Sequence, residues 1–117
     1  MKIALHDLLQ KLPLPATTRW PEGVWDVEAF KHGSMSLIVF TPKGKDYQTA
    51  HDQDELYIAV KGSGTLVKAG HRYPFITGEA LFVPAGVDHH FEDASGDLIL
   101  WAIFWGPKGG EAKTFST

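Results

Sequence analysis

The sequence predicts one small all-β domain that begins with a short helix. Its 117 residues suit a single domain. Hydrophobic residues make up 44% of the chain and charged residues 21%, which is the balance of a folded globular protein. From Trp20 onward, short apolar runs alternate with glycine, proline and aspartate at the spacing of β-sandwiches and barrels. We therefore expect residues 1–117 to form one domain that is mostly strand.

The only helical pattern lies at the start of the chain. Prolines 13 and 15 end it, because proline cannot continue a helix. We predict that residues 1–19 form a helical and extended segment that packs on the β-body. Leucines recur along one face of the predicted helix at the required spacing, namely Leu5, Leu8, Leu9 and Leu12.

Eight short apolar runs follow, and each ends at turn residues such as those at 31–33 and 84–86. So many strands in so small a domain would expose several sheet edges, so we expect a closed barrel or two packed sheets. Residues 106–117 are predicted to form a loose or partner-docked tail. The predicted strands are Val24–Phe30, Met35–Phe40, Glu55–Lys61, Thr65–Lys68, His71–Phe75, Ala80–Val83, His89–Glu92 and Leu98–Trp105.

Composition argues against several classes of protein. The net charge is −3 and the pI is near 6.0, so the chain lacks the positive charge that draws proteins onto nucleic acid or acidic membranes. Cysteine is absent, which excludes disulfides and thiolate zinc sites. Polar residues at positions 6, 7 and 11 interrupt any leader-like run, and no apolar stretch reaches the roughly 20 residues of a membrane span. We expect a cytoplasmic protein that binds neither nucleic acid nor membrane.

Two segments, Thr49–Gly62 and Gly78–His89, combine residue types that bind metals with sharp turns. In the first, His51 and Glu55 stand four residues apart at the start of a predicted strand. In the second, His89 follows a proline-containing turn. A surface ion pair between His51 and Glu55 would explain the first segment alone, but the second segment favours a shared site.

The spacing of these segments resembles a known family. Glu55 is followed after six residues by Gly62, and Gly78 is followed after five residues by Pro84-Ala85-Gly86 and then His89. These are similar to the two motifs of the cupin superfamily, in particular to its small single-domain bacterial members. The resemblance implies a double-stranded β-helix, or jelly-roll, barrel that is usually dimeric and binds one divalent metal ion at the mouth of its pocket.

Carried over residue by residue, the resemblance assigns His51, Glu55 and His89 as metal ligands. The position of the family's first histidine is occupied by Thr49. Two imidazoles and one carboxylate suit Fe, Mn, Zn or Ni and leave positions open for water or substrate. Gln53 would add an amide oxygen if its loop curls inward. The predicted pocket residues are Thr49, Tyr57, Phe91, Trp101 and Phe104.

Five acidic residues lie near the predicted ligands in the sequence. They form either a solvated rim of loops or a group in which one carboxylate orients His51 or His89, as carboxylates often do for metal-binding imidazoles. The candidates are Asp52, Asp54, Asp88, Glu92 and Asp93.

The last predicted strand, Leu98–Trp105, has apolar residues on both faces. Such a strand needs cover on both sides. One face fills the barrel, and the other contacts either a second subunit or the N-terminal segment that carries Trp20 and Trp25. We therefore expect a homodimer.

Two kinds of function remain open, and a third interpretation is that the site is vestigial and the dimer is the functional unit. One is a metal-dependent cupin that binds a small organic molecule in the barrel, as a dioxygenase or an isomerase. The other is a non-catalytic module that binds or senses a sugar or metabolite.

Overall fold

The computed structural model describes residues 1–112, which form one helix and eight strands. No helix in this described part is long and apolar enough to cross a membrane. The strands lie within two residues of their predicted bounds. The elements are α1 (Leu5–Leu9), β1 (Asp26–His32), β2 (Met35–Phe40), β3 (Asp54–Lys61), β4 (Gly64–Lys68), β5 (His71–Phe75), β6 (Ala80–Val83), β7 (His89–Glu92) and β8 (Ile99–Trp105).

The strands form two antiparallel sheets. A five-stranded sheet has the order β1-β2-β8-β3-β6, and a three-stranded sheet has the order β5-β4-β7. Apolar side chains from both sheets make one core, so the prediction of an all-β body with a short N-terminal helix is confirmed. The largest contributors to this core are Phe40, Tyr57, Leu66, Phe75, Phe91, Leu98 and Leu100.

The register of the five-stranded sheet decides which face each side chain occupies. One cross-strand row, Ile38-Ala102-Tyr57-Leu81, belongs to the face that carries the core. The neighbouring row, Val39-Trp101-Ile58-Ala80, points to the opposite face because successive side chains alternate across a strand. Both faces of β8 are apolar, but only its even-numbered residues face the core.

Helix α1 covers the outer face of β2. Leu8 is buried on the helix and Val39 is fully buried on the strand. The helix ends at Leu9, and Leu12 does not continue it because a residue that precedes a proline avoids helical geometry. The N-terminal helix therefore covers apolar surface on β2, beside the outer face of β8.

The turn after β3 requires glycine at position 62. Gly62 has a φ of +85°, and a Cβ at this position would lie 2.5 Å from the Ser95 Oγ and 2.7 Å from the Leu98 Cα. A side chain at 62 would thus collide with the loop before β8. The glycine that closes the first motif is needed for this close approach.

Residues 106–112, the first part of the predicted loose or partner-docked tail, are held by hydrogen bonds to the rest of the chain. The buried carboxylate of Asp54 accepts the amides of Glu111 at 3.0 Å and of Ala85 at 2.9 Å. The Gly109 amide donates to the Asp52 carbonyl at 2.8 Å. The remainder of the predicted tail, residues 113–117, lies outside the described residues.

Candidate metal centre

Three side chains that are distant in the sequence meet between the two sheets. His51 precedes β3, Glu55 lies on β3, and His89 begins β7 in the other sheet. The Nε2 atom of His51 lies 2.8 Å from the Glu55 Oε1 atom, and that of His89 lies 3.3 Å from the same oxygen. The two Nε2 atoms are 3.3 Å apart. These three residues could hold a metal ion.

Backbone geometry explains why the groups converge. Glu55 shares the inward face of β3 with Tyr57, as strand alternation predicts, and its side chain is buried. The turn before β7 is tied to the first segment, because the Gly86 amide donates to the His51 carbonyl at 2.7 Å. This hydrogen bond holds the turn that precedes His89 beside His51.

Backbone carbonyls orient both imidazoles. The Nδ1 atom of His51 lies 3.1 Å from the Gln53 carbonyl, and that of His89 lies 2.9 Å from the Val87 carbonyl. A neutral imidazole has one N–H group, so donation from Nδ1 leaves a lone pair on Nε2. Both lone pairs would then belong to the atoms beside Glu55. In the hydrogen bond with the Glu55 carboxylate, by contrast, the His51 Nε2 atom carries a proton, which a bound metal ion would replace. The acidic side chains considered in the sequence analysis do not provide these contacts.

The spacing of the three atoms fits one small ion. Ligand atoms bound at 2.0–2.2 Å, with angles between 90° and 109°, lie about 2.8–3.6 Å from one another. The distances of 2.8, 3.3 and 3.3 Å fall within this range. The donor set of two imidazoles and one carboxylate is one that Fe, Zn, Mn or Ni accepts.

The charges of the cluster also suit a cation. Burial alone would raise the pKa of Glu55, but hydrogen bonds with His51, His89 and Tyr57 outweigh it and hold that pKa below its usual 4.5. Burial is the largest single influence on the pKa of His51 and lowers it, but the hydrogen bond and charge of Glu55, the Gln53 carbonyl and the charge of Asp52 together hold that pKa above 6.5. Glu55 is therefore a carboxylate at neutral pH, which is the form that binds a metal.

A hydrogen-bonded chain supports the cluster from behind. The Tyr57 hydroxyl lies 3.2 Å from the His89 Nε2 atom and 3.1 Å from the Gln48 Oε1 atom. The Gln48 amide group donates to Asp46 at 2.6 Å, which turns its oxygen toward Tyr57, and Asp46 also accepts the Phe91 amide at 2.8 Å. The sequence analysis missed Asp46 and Gln48, because polar residues in a loop resemble a solvated surface.

Of the other predicted site residues, Phe104 contacts the cluster, whereas Thr49 and Gln53 are bound elsewhere. The Phe104 ring packs edge-on against the His51 ring, with centroids 4.6 Å apart. Thr49 is exposed and accepts a hydrogen bond from Arg19. The Gln53 amide group donates to the Ser34 carbonyl at 2.8 Å and to the Gly106 carbonyl at 3.0 Å, so this side chain is held away from the cluster.

Three of the predicted pocket residues do not line the cavity at the site, namely Phe91, Trp101 and the exposed Thr49. Phe91 lies in the core, where its ring packs against Tyr57 at 4.9 Å. Trp101 lies on the outer face of β8, opposite Val39 and Ile58. The prediction for Trp101 was wrong because both faces of β8 are apolar, and the sequence does not indicate which one faces inward.

A cavity of about 110 Å³ adjoins the cluster inside the barrel. Glu55, Tyr57 and Phe104 line it on the side of the cluster, and Trp20 and Asp26 also contribute to its wall. The sequence analysis did not assign Asp26 to the pocket. The position of Asp26 in β1 carries no metal-binding or turn signal that would have identified it.

Comparison with known proteins agrees with this fold. Residues 36–104 match the family described as Cupin domain. Over 75 residues the chain is 32% identical to the uncharacterized protein SCO3923 of Streptomyces coelicolor. The aligned region covers 64% of this chain and 71% of that protein.

Solved structures give the same result. The Cupin 2 conserved barrel domain protein of Salinispora arenicola is similar with a TM-score of 0.60 and 20% identity, covering 69% of this chain and 74% of that chain. The DMSP lyase DddQ of Ruegeria pomeroyi has the same TM-score and identity, covering 69% of this chain and 46% of that chain. At these identities the likeness shows the fold alone.

Proposed function

Since this chain belongs to the cupin family, we propose that it binds one divalent metal ion through His51, Glu55 and His89 and a small organic molecule beside that ion. One observation carries the proposal. Two imidazole Nε2 atoms and a buried carboxylate oxygen converge at 2.8–3.3 Å, and the other nitrogen of each imidazole is held by a backbone carbonyl.

Three protein ligands leave open positions for substrate. An ion held by His51, Glu55 and His89 would supply a Lewis acid for a carbonyl oxygen or for an oxygen co-substrate. The Tyr57 hydroxyl at the cavity wall keeps its proton, because burial, followed by the charge of Glu55, raises its pKa well above 10. Such a site suits a metal-dependent dioxygenase or isomerase, and we propose one of these two reaction classes.

Elemental analysis of protein purified without added metal or chelator tests the metal site. We expect about one equivalent of a transition metal per chain in the wild type. His51→Ala and His89→Ala should each weaken metal binding by about tenfold or more, since even outer partners of a metal site cost that much when they are removed.

His90→Ala is the matched control. His90 neighbours His89 on β7, but it pairs with the exposed Glu92 at 2.7 Å instead of facing the cluster. This variant should retain the full metal content. If His51→Ala retained it as well, the ligand assignment would be refuted.

We also propose that two copies of the chain pair through the outer face of the five-stranded sheet. Leu56, Ile58, Trp101 and Ile103 form a half-buried apolar surface there, beside the part that α1 covers on β2. Light scattering should give a particle of twice the chain mass of 12.9 kDa, and Ile58→Glu should halve it. A wild-type particle with the mass of one chain would contradict the pairing.

A further inference from the structure

The cavity beside the candidate metal centre contains a carboxylate that the ligand cluster does not use. Asp26 lies at the start of β1 and pairs with the buried Phe40 on β2. Its half-buried side chain lines the cavity, and within residues 1–112 it makes no hydrogen bond or ion pair. A half-buried carboxylate without a partner is costly, so a ligand that supplies the missing donor would be favoured.

The surroundings of Asp26 favour a positive partner. Trp20, Phe40 and Phe104 provide aromatic surface, and no lysine or arginine is among the described residues that line this cavity. Burial raises the pKa of Asp26, and the nearby carboxylates of Asp46 and Glu55 raise it further. Aromatic faces and carboxylates both attract cations, whereas an anionic ligand group placed here would be repelled.

We propose that the Asp26 side of this cavity binds a compact organic cation, such as a primary ammonium group, and so selects the substrate class of the site. The inference rests on the proposed function only in placing the opposite end of that substrate at the metal centre. The cavity volume of about 110 Å³ limits the cationic part to a few non-hydrogen atoms, since a 150 Å³ cavity accommodates one benzene molecule.

Three probes of similar size and different charge test the proposal, namely propylammonium, propanol and propionate. Each is titrated into the protein as purified, and binding is followed by the NMR signal of the Trp20 indole N–H, assigned with Trp20→Phe. Propylammonium should bind at least about tenfold more tightly than propanol, which corresponds to one hydrogen bond to a charged group. Equal affinities, or no binding of propylammonium in the millimolar range, would overturn the proposal.

Asp26→Asn removes the charge but keeps the shape, and it should reduce the propylammonium affinity at least about tenfold while leaving that of propanol unchanged. Glu28→Gln is the matched control, because Glu28 lies on the same strand but is exposed and does not line the cavity. An Asp26→Asn variant with wild-type affinity for propylammonium would refute the assignment.

The same titration on chelator-treated protein separates this inference from the metal proposal. Asp26 makes no hydrogen bond to His51, Glu55 or His89, so the ammonium preference should persist without metal. Protein that lacks stoichiometric metal but keeps this preference would refute only the proposed function. Protein with stoichiometric metal and no preference would refute only the cation site.

Discussion

Replacing Asp54 by alanine tests how the chain holds the turn that leads to His89. The Asp54 residue is 6% exposed, and its carboxylate accepts the Ala85 amide at 2.9 Å and the Glu111 amide at 3.0 Å. A hydrogen bond to a charged group contributes about 1.5–3 kcal/mol. The Glu111 amide belongs to an exposed residue that water can reach, so we assign about 2 kcal/mol to the Ala85 bond and about 1 kcal/mol to the Glu111 bond.

We therefore expect Asp54→Ala to lower the free energy of unfolding by about 3 kcal/mol. In a domain of this size each kcal/mol shifts the midpoint of thermal unfolding by about 4 °C, so the midpoint should fall by about 12 °C. Urea denaturation measures the free energy and calorimetry measures the midpoint. Because the variant loosens the turn before β7, metal affinity should also fall, and elemental analysis of the same preparation reports it.

Asp52→Ala is the control for this experiment. Its carboxylate is 71% exposed and lies 3.8 Å from the Lys108 ammonium. Exposed ion pairs contribute at most about 1 kcal/mol, so the expected loss is below that figure. If Asp54→Ala lost no more stability than Asp52→Ala, the reasoning about the buried carboxylate would be wrong.

Three further outcomes are expected. Gly62→Ala should cost about 3 kcal/mol or more in urea denaturation, against about 1–2 kcal/mol for Gly70→Ala. Both glycines have positive φ, but only at position 62 would a Cβ lie 2.5 Å from Ser95, and equal losses would contradict this explanation. Asp26→Asn should be more stable than the wild type at pH 7, and the difference should vanish below about pH 4. Burial, and then neighbouring carboxylates, raise the pKa of Asp26. The wild type therefore loses its disadvantage relative to Asp26→Asn as the pH falls through that pKa. If Asp26→Asn were still more stable than the wild type at about pH 3.5, or if Glu28→Gln were equally stabilising at about pH 7, this explanation would be wrong. A metal ion at 100 times its Kd should add about 2.7 kcal/mol to the free energy of unfolding, and a chelator should remove this gain; an unchanged thermal midpoint would speak against a site in the folded state.

Local patterns were sufficient to predict the strands and part of the site. Turn residues interrupt the chain wherever a strand ends, and these signals are read within a few residues. Alternation along β3 places Glu55 and Tyr57 on one face, and the structure has both on the core side. The sequence also indicates a sharp turn at Gly62. The residues that this glycine approaches, Ser95 and Leu98, are distant in sequence and are identified only by the structure.

The alternation of side chains along a strand does not identify the inward face when both faces are apolar. The two sets of residues in β8 differ little in hydrophobicity, and only pairing with β2 and β3 decides that Ala102 faces the core and Trp101 the outside. The loop before β3 has no regular period at all. As a result, Gln53 and Thr49 could not be placed, and the structure shows their side chains bound to other parts of the chain.

By itself, the sequence determined the order of the strands, their bounds and the identity of the residues able to bind a metal. Only the tertiary structure decided that His51 and His89, 38 residues apart, lie with their Nε2 atoms 3.3 Å from each other. It also decided that Asp26 lines the cavity. The reason is physical: propensity and alternation act over a few residues, whereas distances between groups on separate strands depend on how two whole sheets pack.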